Sequence, residues 1–225
     1  MAVSISKFAD MAFCELKLVH SIIDGARPQF RPCVMLGTKN HAMAAEEDAR
    51  KPYKRLSGRE LLEGLRDETS SFELPSESVR VRFEHGGSVF AGRLDKLVKQ
   101  EKKVMVVDLK FTGKAGGVFK EKYECQLLSY CKALRDGEVK FKGGVGGREM
   151  FKGLDLYYVL MEMDIMSRKL LVESRPVKFD ETRLLPKLRK FEAIMRGDFT
   201  RGELACGEPE KCERCEFGHL CAYRA

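Results

Sequence analysis

The chain has 225 residues and a mass of 25.6 kDa, a size that suits one domain. Hydrophobic residues make up 44% and charged residues 33%, so a core can form and global disorder is excluded. The longest uncharged apolar runs, such as residues 157–161, are far shorter than the roughly 20 residues of a membrane-spanning helix. The first ten residues lack the basic and apolar regions of a secretory leader, so we expect a cytoplasmic protein without a membrane anchor.

Charge and cysteine content narrow the classes of partner and cofactor. The chain has 41 lysines and arginines against 34 aspartates and glutamates, a net charge of +7. This excess fits a nucleic-acid partner and fits an ordinary basic protein as well. Eight cysteines are many for a reducing compartment, where metal or cluster ligation explains them better than disulfide bonds.

Apolar residues recur at helical spacing through the first third of the chain. This pattern predicts helices over residues 4–24, 34–50 and 57–66, followed by a polar loop over 67–78. We therefore expect a helical N-terminal part that precedes the sheet.

Alternating apolar and polar residues then replace the helical pattern. The alternation around His85 predicts a β-hairpin within 79–98. A tight charged turn at 100–102 leads to a third, antiparallel strand over 104–111. A helix is expected next, over 121–135.

The remainder of the chain predicts two more strands and a helix. The glycine-rich, basic segment 140–153 is interpreted as a flexible loop. Strands are predicted over 154–163 and 169–179, and a final helix over 180–195. A cysteine-rich tail ends the chain.

This order of elements predicts an α/β fold with a central mixed β-sheet flanked by helices. We interpret residues 1–225 as a single domain with three parts. The parts are a helical N-terminal segment, a central core and a cysteine-rich tail, over residues 1–70, 79–196 and 204–225.

Two aspartates and a lysine are predicted to meet at one place in the sheet. Asp95 is placed on the second strand, and Asp108 and Lys110 leave the same face of the third because they are two residues apart. Antiparallel pairing about the turn sets Asp95 near Asp108. A bare D-x-K pattern is more often a solvated ion pair. Here both aspartates interrupt apolar runs, which favours a site for Mg²⁺ or Mn²⁺ with Lys110 beside the reacting water.

Three polar residues outside these strands fit the same site. Gln126 and Tyr130 are four residues apart on the predicted helix, so they share one face. An amide and a phenol there could orient a water or touch DNA. His41 could add an imidazole ligand, which favours Mn²⁺ somewhat over Mg²⁺. Each of these residues taken alone would be an ordinary structural residue.

Four short patterns in this order resemble the RecB-type motifs of the PD-(D/E)xK nuclease superfamily. They are G-x-x-x-H ending at His41, G-x-x-D ending at Asp95, D-x-K at 108–110, and Q-x-x-x-Y at 126–130. The resemblance implies a restriction-endonuclease-like core. It implies metal ligation by His41, Asp95, Asp108 and the backbone carbonyl of Leu109, with Lys110 catalytic. Gln126 and Tyr130 would be accessory residues near the DNA.

The last cysteines have the spacing of ligands for a soft metal. The tail contains C-x5-C-x2-C-x5-C, and its central C-x2-C pair lets two thiolates grip one centre. All four could hold zinc locally, or three of them could join a distant cysteine around an iron–sulfur cluster. Spacing alone leaves both open. The four are Cys206, Cys212, Cys215 and Cys221.

The arrangement of all the motifs resembles the iron–sulfur subfamily of these nucleases, which includes the CRISPR-associated Cas-four exonucleases. The resemblance implies that Cys14 joins Cys212, Cys215 and Cys221 around a cluster, usually [4Fe–4S], with [2Fe–2S] not excluded. Cys206 lies outside that pattern and keeps zinc as the alternative. Cys33, Cys125 and Cys131 are interpreted as buried structural thiols.

The residues of the site predict metal-dependent phosphodiester hydrolysis, and the resemblance implies an exonuclease that acts on the ends of single-stranded DNA. The resemblance implies a role in processing spacer precursors, with other CRISPR adaptation proteins as partners. Two alternatives stay open: a non-catalytic module that binds DNA or a partner through an iron–sulfur or zinc centre, and an exonuclease of DNA repair or replication. Cleavage polarity, preferred metal and oligomeric state are left open by the sequence.

Overall fold

A computed structural model describes residues 1–50, 58–74, 79–113, 120–141 and 144–223. Its helices, in chain order, are α1 (Ile5–Phe13), α2 (Glu15–Leu18), α3 (Pro32–Arg50), α4 (Gly58–Arg66), α5 (Lys120–Asp136), α6 (Leu185–Arg196), α7 (Arg201–Leu204) and α8 (Pro209–Glu213). A π-helical turn at Val19–Ile23 follows α2. Short 3₁₀ turns lie at Arg148–Met150 and at Glu181–Arg183, and the second of these precedes α6. None of the described helices combines the length and apolar character that crossing a bilayer requires.

Eleven strands form two sheets in the described part of the chain. They are β1 (Ala2–Ser4), β2 (Ser71–Leu74), β3 (Val79–His85), β4 (Ser88–Arg93), β5 (Lys96–Gln100), β6 (Lys103–Thr112), β7 (Glu138–Phe141), β8 (Gly144–Gly147), β9 (Asp155–Asp164), β10 (Leu170–Glu173) and β11 (Val177–Lys178). One sheet has the order β1-β4-β3-β7-β8. The other has the order β10-β9-β6-β5-β2, and β11 also pairs with β9.

Both sheets are mixed, which confirms the predicted α/β class. Strand β1 pairs in parallel with β4, and β6 pairs in parallel with β9, while the other pairs are antiparallel. The expectation of one central sheet is wrong. The chain leaves the first sheet after β4 and enters the second at β5. Leu94, which is 1% exposed, lies in the core at this break, and its N–H is donated to the carbonyl of Val79.

Several predicted boundaries also differ from the structure. The helix predicted over 4–24 is interrupted at Cys14, whose backbone is extended. The expected loops contain strands β2 and β8, and the strand predicted over 169–179 is split into β10 and β11. Pro176 lies between these two strands, and proline has no N–H to contribute to a sheet. The final helix begins at Leu185, because proline is tolerated only in the first turn and Pro186 occupies that turn.

The main core lies between α1, α6 and the first sheet. Phe8 of α1 makes edge contacts with Phe90 of β4 and with Phe191 of α6, with ring centroids 5.0 and 5.6 Å apart. Helix α5 packs against α1 and against strands of both sheets. Residues 125–134 of α5 are all buried. A helix enclosed on every side has a fixed position, so α5 is a firm base for the polar side chains that it carries.

Candidate active site

The break between β4 and β5 sets Asp95 against the side of β6. Asp95 lies in the bend itself, one residue before β5, so its predicted position on a strand is wrong. The β5–β6 pairing begins with Lys96 opposite Val107, which leaves Asp95 level with Asp108. Asp95 Oδ2 accepts a hydrogen bond from the backbone N–H of Leu109 at 2.8 Å. The carboxylate is therefore fixed to the strand that carries the other acidic residue.

Asp108 is a buried carboxylate with a lysine as its counter-ion. Its residue is 1% exposed, and its Oδ2 lies 2.8 Å from Nζ of Lys110. Burial raises the pKa of Asp108 to about 6, the nearby charge of Asp95 adds to the rise, and Lys110 opposes it. One lysine therefore does not fully offset the cost of this buried negative charge, so a second cation would be accommodated favourably.

Helix α5 brings an amide and a phenol over Asp108. Gln126 Nε2 donates a hydrogen bond to the Tyr130 hydroxyl at 2.9 Å and lies 3.5 Å from Oδ1 of Asp108. Burial and the charge of Asp108 raise the pKa of Tyr130, so its phenol stays protonated and is not a general base. These two predicted residues hold Asp108 in place from the helix side.

Gly92 leaves room for Tyr130 against the backbone of β4. A Cβ added to Gly92 would meet Cε1 of the Tyr130 ring at 2.7 Å and side-chain atoms of Ile5 at 3.2 and 3.3 Å. Gly92, the glycine of the G-x-x-D pattern, is thus required by its close contact with Tyr130, the aromatic residue of the Q-x-x-x-Y pattern. The two motifs are parts of one packed unit.

We expect Gly92→Ala to lower both stability and nuclease activity. The added methyl group must displace Tyr130, which overpacks the core and costs about 1–3 kcal/mol of unfolding free energy. Urea unfolding and a cleavage assay measure the two effects. Gly37→Ala in α3 is the matched control, because its Cβ would meet no atom within 4 Å and helix propensity predicts a gain of up to about 1 kcal/mol. Equal stabilities of the two variants would contradict this packing role.

His41 reaches the site from α3. Its Nδ1 lies 3.7 Å from Oδ1 of Asp95, and its ring meets that of Phe111 edge-on at 5.0 Å. Burial and the positive charges of Lys110 and Arg93 lower the pKa of His41 to about 4, against the opposing charge of the neighbouring Asp108. The imidazole is therefore neutral near pH 7, the form that can donate a lone pair to a metal.

Two more residues surround Lys110 that the sequence patterns do not single out. Glu162 of β9, 5% exposed, is paired with Lys110 in the parallel register, and the Lys110 Nζ lies 5.2 Å from the ring centroid of Tyr123. Tyr123 precedes Gln126 by three residues, so helical periodicity could have found it. Glu162 could not be found in this way, because its place depends on the parallel pairing of two distant strands.

The donor set of the site suits a hard divalent ion. In the described part of the chain, no three acidic, histidine or cysteine side chains are gathered closely enough to hold an ion as they stand. Two carboxylates nevertheless suit Mn²⁺ and Mg²⁺, a neutral imidazole beside them favours Mn²⁺, and the buried Asp108 lacks full charge compensation. The backbone N–H of Leu109 donates a hydrogen bond to Asp95, and metal ligation by the Leu109 carbonyl stays a prediction.

The two shifted pKa values predict opposite contributions to the pH dependence of folding. The folded state keeps the Asp108 proton to about pH 6, whereas the unfolded chain releases it near pH 4, so this contribution falls as the pH rises between them. The unfolded chain protonates His41 below about pH 6.5 and the folded state only near pH 4, so its contribution rises over a similar window. Each amounts to roughly 3 kcal/mol.

Urea unfolding of single variants, carried out with EDTA between pH 4 and 6.5, separates these two contributions to the free energy of unfolding. Relative to the wild type, Asp108→Asn should gain stability as the pH rises, since only the contribution of His41 remains. His41→Gln should lose stability over the same range, because Asp108 then contributes alone. Parallel pH profiles for the wild type and both variants would contradict the assigned protonation states.

A second group of chemically distinctive residues lies at the other end of α1. Five thiols line one small pocket that opens to solvent, and Phe13, Lys211 and Tyr223 also contact it. The sulfurs of Cys206 and Cys212 are 4.0 Å apart. The structure therefore places Cys14 beside the tail cysteines, although nearly the full length of the chain separates them in the sequence. The five are Cys14, Cys206, Cys212, Cys215 and Cys221.

The remaining cysteines have a different setting. Cys125 and Cys131 of α5 are fully buried, and burial raises the pKa of both thiols, which agrees with their interpretation as structural. The side chain of Cys33 lies outside the described part of the structure.

Polar contacts hold the tail against the N-terminal helices. Lys17, 2% exposed, bridges Asp10 of α1 and Glu216 of the tail at 2.9 Å each. Arg31 donates hydrogen bonds to the carbonyls of Glu213 and Cys215 at 3.1 and 2.9 Å. The thiol pocket is thus held together by contacts between residues that are distant in the chain.

Comparison with known proteins places the whole chain in one family. No curated protein matches it. The crystal structure of the protein SSO0001 superposes with a TM-score of 0.53 at 13% identity, covering 100% of this chain and 87% of that one, which shows a shared fold. A structure from Eubacterium rectale, provisionally named an exonuclease, reaches a TM-score of 0.49 at 14% identity and covers 96% of this chain and 86% of its own. The model of the PD-(D/E)XK nuclease superfamily matches residues 2–222, and the chain therefore belongs to that superfamily.

Proposed function

We propose that this protein is a divalent-metal-dependent exonuclease that hydrolyses phosphodiester bonds at the ends of single-stranded DNA. The observation that carries the proposal is the convergence at Leu109. Asp95 is hydrogen-bonded to its N–H, and Asp108 and Lys110 flank it in the strand and form an ion pair with each other. Family membership supports nuclease chemistry at this place.

The residues of the site have distinct roles in the proposed reaction. His41, Asp95, Asp108 and the Leu109 carbonyl would hold one Mn²⁺ or Mg²⁺, which polarises the phosphate and acidifies a bound water when present. Lys110 would donate hydrogen bonds to the attacking water and offset the negative charge that develops on the phosphate.

The α5 residues and the lysine both contact Asp108. Gln126 and Tyr130 keep Asp108 oriented through their mutual hydrogen bond. Asp108 would hold the ion, and Lys110, whose Nζ lies 2.8 Å from its Oδ2, would present its ammonium group to the substrate beside it.

Two parts of the proposal rest on the resemblance of the motifs to the Cas-four exonucleases. They are the preference for single-stranded ends and the role in CRISPR spacer processing. The net charge of +7 favours a nucleic-acid partner in general. Other CRISPR adaptation proteins are the proposed partners. Deleting the gene from a host that acquires spacers should then alter the length distribution of the new spacers.

We also propose that the cysteine pocket holds an iron–sulfur cluster, with a zinc site as the alternative. The chemistry of the pocket supports a soft-metal centre, because five thiols of this chain line it and thiolates are the ligands of iron–sulfur clusters and of structural zinc. A centre joining Cys14 to Cys212 would close a loop of nearly 200 residues, which restricts the unfolded chain. We assign it a structural role in fixing α1 and the tail to the nuclease core.

A nuclease assay on end-labelled oligonucleotides tests the proposal. Protein purified without oxygen should shorten linear single strands in Mn²⁺ and leave them intact in EDTA. Closed circular single-stranded DNA should resist, because an exonuclease needs an end. Cutting of circles would replace the exonuclease assignment with an endonuclease. A lack of cleavage under every metal condition would favour the non-catalytic binding module.

A further inference from the structure

The short helix α8 of the cysteine tail lies close to the first turn of α5. Lys211 of α8 pairs with Glu208 at 2.7 Å, and its Nζ is also 4.0 Å from a carboxylate oxygen of Glu121 in α5. The side chain of Lys211 is only 12% exposed, so this contact is partly shielded from solvent. The tail therefore reaches the beginning of the helix that carries Gln126 and Tyr130.

A buried series of charges makes a second connection between the tail and α5. Asp10 of α1 contacts Lys122 of α5 at 2.5 Å and Lys17 at 2.9 Å, and Lys17 in turn contacts Glu216 of the tail at 2.9 Å. Separating one of these groups from its partner would leave an uncompensated buried charge. The tail is thus fixed to the start of α5 on both sides of the C-x2-C segment, residues 212–215.

Arg214 lies inside that segment, on a backbone that is held in place. Arg31 donates hydrogen bonds to the carbonyls of Glu213 and Cys215, at 3.1 and 2.9 Å, and these two residues flank Arg214. The side chain of Arg214 is 42% exposed and pairs with the exposed Glu210 at 3.3 Å. Exposed pairs of this kind contribute little stability, so the guanidinium can exchange its partner for another anion at small cost.

Tyr123 of α5 relates Arg214 to the proposed active site. The Nζ of Lys110 lies 5.2 Å from the centre of the Tyr123 ring. Burial and the charges of Asp108 and Glu162 raise the pKa of the Tyr123 phenol, and the nearby positive charge of Arg214 opposes that rise. The same aromatic residue is therefore close to the lysine of the site and to the arginine of the tail.

We propose that Arg214 binds a backbone phosphate of the DNA strand, next to the linkage that is cleaved beside Lys110. A guanidinium suits this role because it can donate two parallel hydrogen bonds to one phosphate. This inference rests on the proposed nuclease function and adds a substrate-binding residue to it. The C-x2-C segment would then contact the substrate directly, in addition to fixing the tail to the core.

Removing the charge of Arg214 separates DNA binding from chemistry. Anisotropy of a fluorescein-labelled single strand in EDTA measures affinity at several salt concentrations, and single-turnover cleavage in Mn²⁺ with saturating protein measures the rate. Arg214→Gln should weaken affinity roughly fivefold at about 0.1 M salt and lower the slope of log affinity against log salt by about 0.7 in magnitude, the value for one phosphate contact to a single strand. The rate at saturation should stay within about twofold.

Two further variants complete the experiment. Arg214→Lys retains the charge and should keep the wild-type salt slope. Lys178→Gln also removes one positive charge from an exposed ion pair, with Asp155 at the end of β9 remote from Glu162, and should keep wild-type affinity. Circular dichroism and the iron and zinc content of each variant establish that the fold and the thiol pocket are unchanged.

Several outcomes would overturn this inference and leave the nuclease proposal intact. They are an unchanged salt slope in Arg214→Gln, an equally reduced slope in Arg214→Lys, and an equal loss of affinity in Lys178→Gln. The last result would mean that net charge alone governs binding. A wild type that neither binds nor cleaves DNA would overturn the proposed function itself.

Discussion

We expect Asp108→Asn to lower DNA cleavage by at least about 1000-fold, or roughly 4 kcal/mol of transition-state stabilisation. Asparagine has the size of aspartate and can still accept from Gln126, so the buried position remains filled. It carries no charge, and a neutral amide binds a hard divalent ion far more weakly than a carboxylate does. Single-turnover cleavage of an end-labelled strand in saturating Mn²⁺ measures the loss.

A surface carboxylate provides the control for this substitution. Asp155 at the start of β9 forms an exposed ion pair with Lys178, and Asp155→Asn should leave cleavage within about twofold of the wild type. Circular dichroism and thermal unfolding establish that both variants are folded. Wild-type cleavage by the folded Asp108→Asn protein would remove Asp108 from the catalytic machinery.

The second large effect is expected from Lys110→Met, which should reduce cleavage by about 100- to 1000-fold without weakening metal binding. Methionine keeps the aliphatic length of lysine and removes its charge. The ammonium group now lies 2.8 Å from Asp108 and competes with a metal for that carboxylate. Its removal should therefore leave Mn²⁺ affinity unchanged or increase it, while the charge needed at the phosphate is lost.

The combination of slower chemistry and undiminished metal affinity distinguishes a catalytic lysine from a structural one. Isothermal titration with Mn²⁺ supplies the affinity, and single-turnover kinetics supply the rate. Lys103→Met, at the exposed start of the same strand, is the control and should change neither quantity. A joint loss of metal binding and cleavage in Lys110→Met would mean that the lysine builds the site and does not take part in the reaction.

Local periodicity was enough to predict how the central residues of the site are arranged. Residues 108 and 110 share a strand face because strand side chains alternate, and residues 126 and 130 share a helix face because a helical turn has 3.6 residues. The turn at 100–102 also gave the correct register between β5 and β6. These relations depend only on neighbours in the chain.

The errors arose where tertiary packing overrides an alternating pattern. A hairpin predicted within 79–98 implies one continuous strand through β4 and β5, yet Leu94 turns into the core and the chain changes sheets there. Asp95 consequently lies in a bend. The parallel pairing of β6 with β9, which places Glu162 beside Lys110, joins segments about 50 residues apart and has no local signal.

The cysteine tail shows the same division between local and distant information. Spacing predicted that Cys212 and Cys215 form a metal-binding pair, and the motif resemblance implied that Cys14 joins them; metal binding by these thiols stays a prediction. The place of Cys206 could not be predicted, because C-x5-C spacing allows both contact and separation. Coordinates were needed to show the sulfurs of Cys206 and Cys212 at 4.0 Å.

Asp95 and Asp108 are proposed to share one hard metal ion, and a Mn²⁺ titration followed by electron paramagnetic resonance tests this directly. Mn²⁺ is a suitable probe because the thiol pocket prefers softer metals. We predict one tight Mn²⁺ per chain in the wild type, and its loss in Asp95→Asn and in Asp108→Asn. Equal Mn²⁺ binding by the wild type and both folded variants would contradict the proposed site.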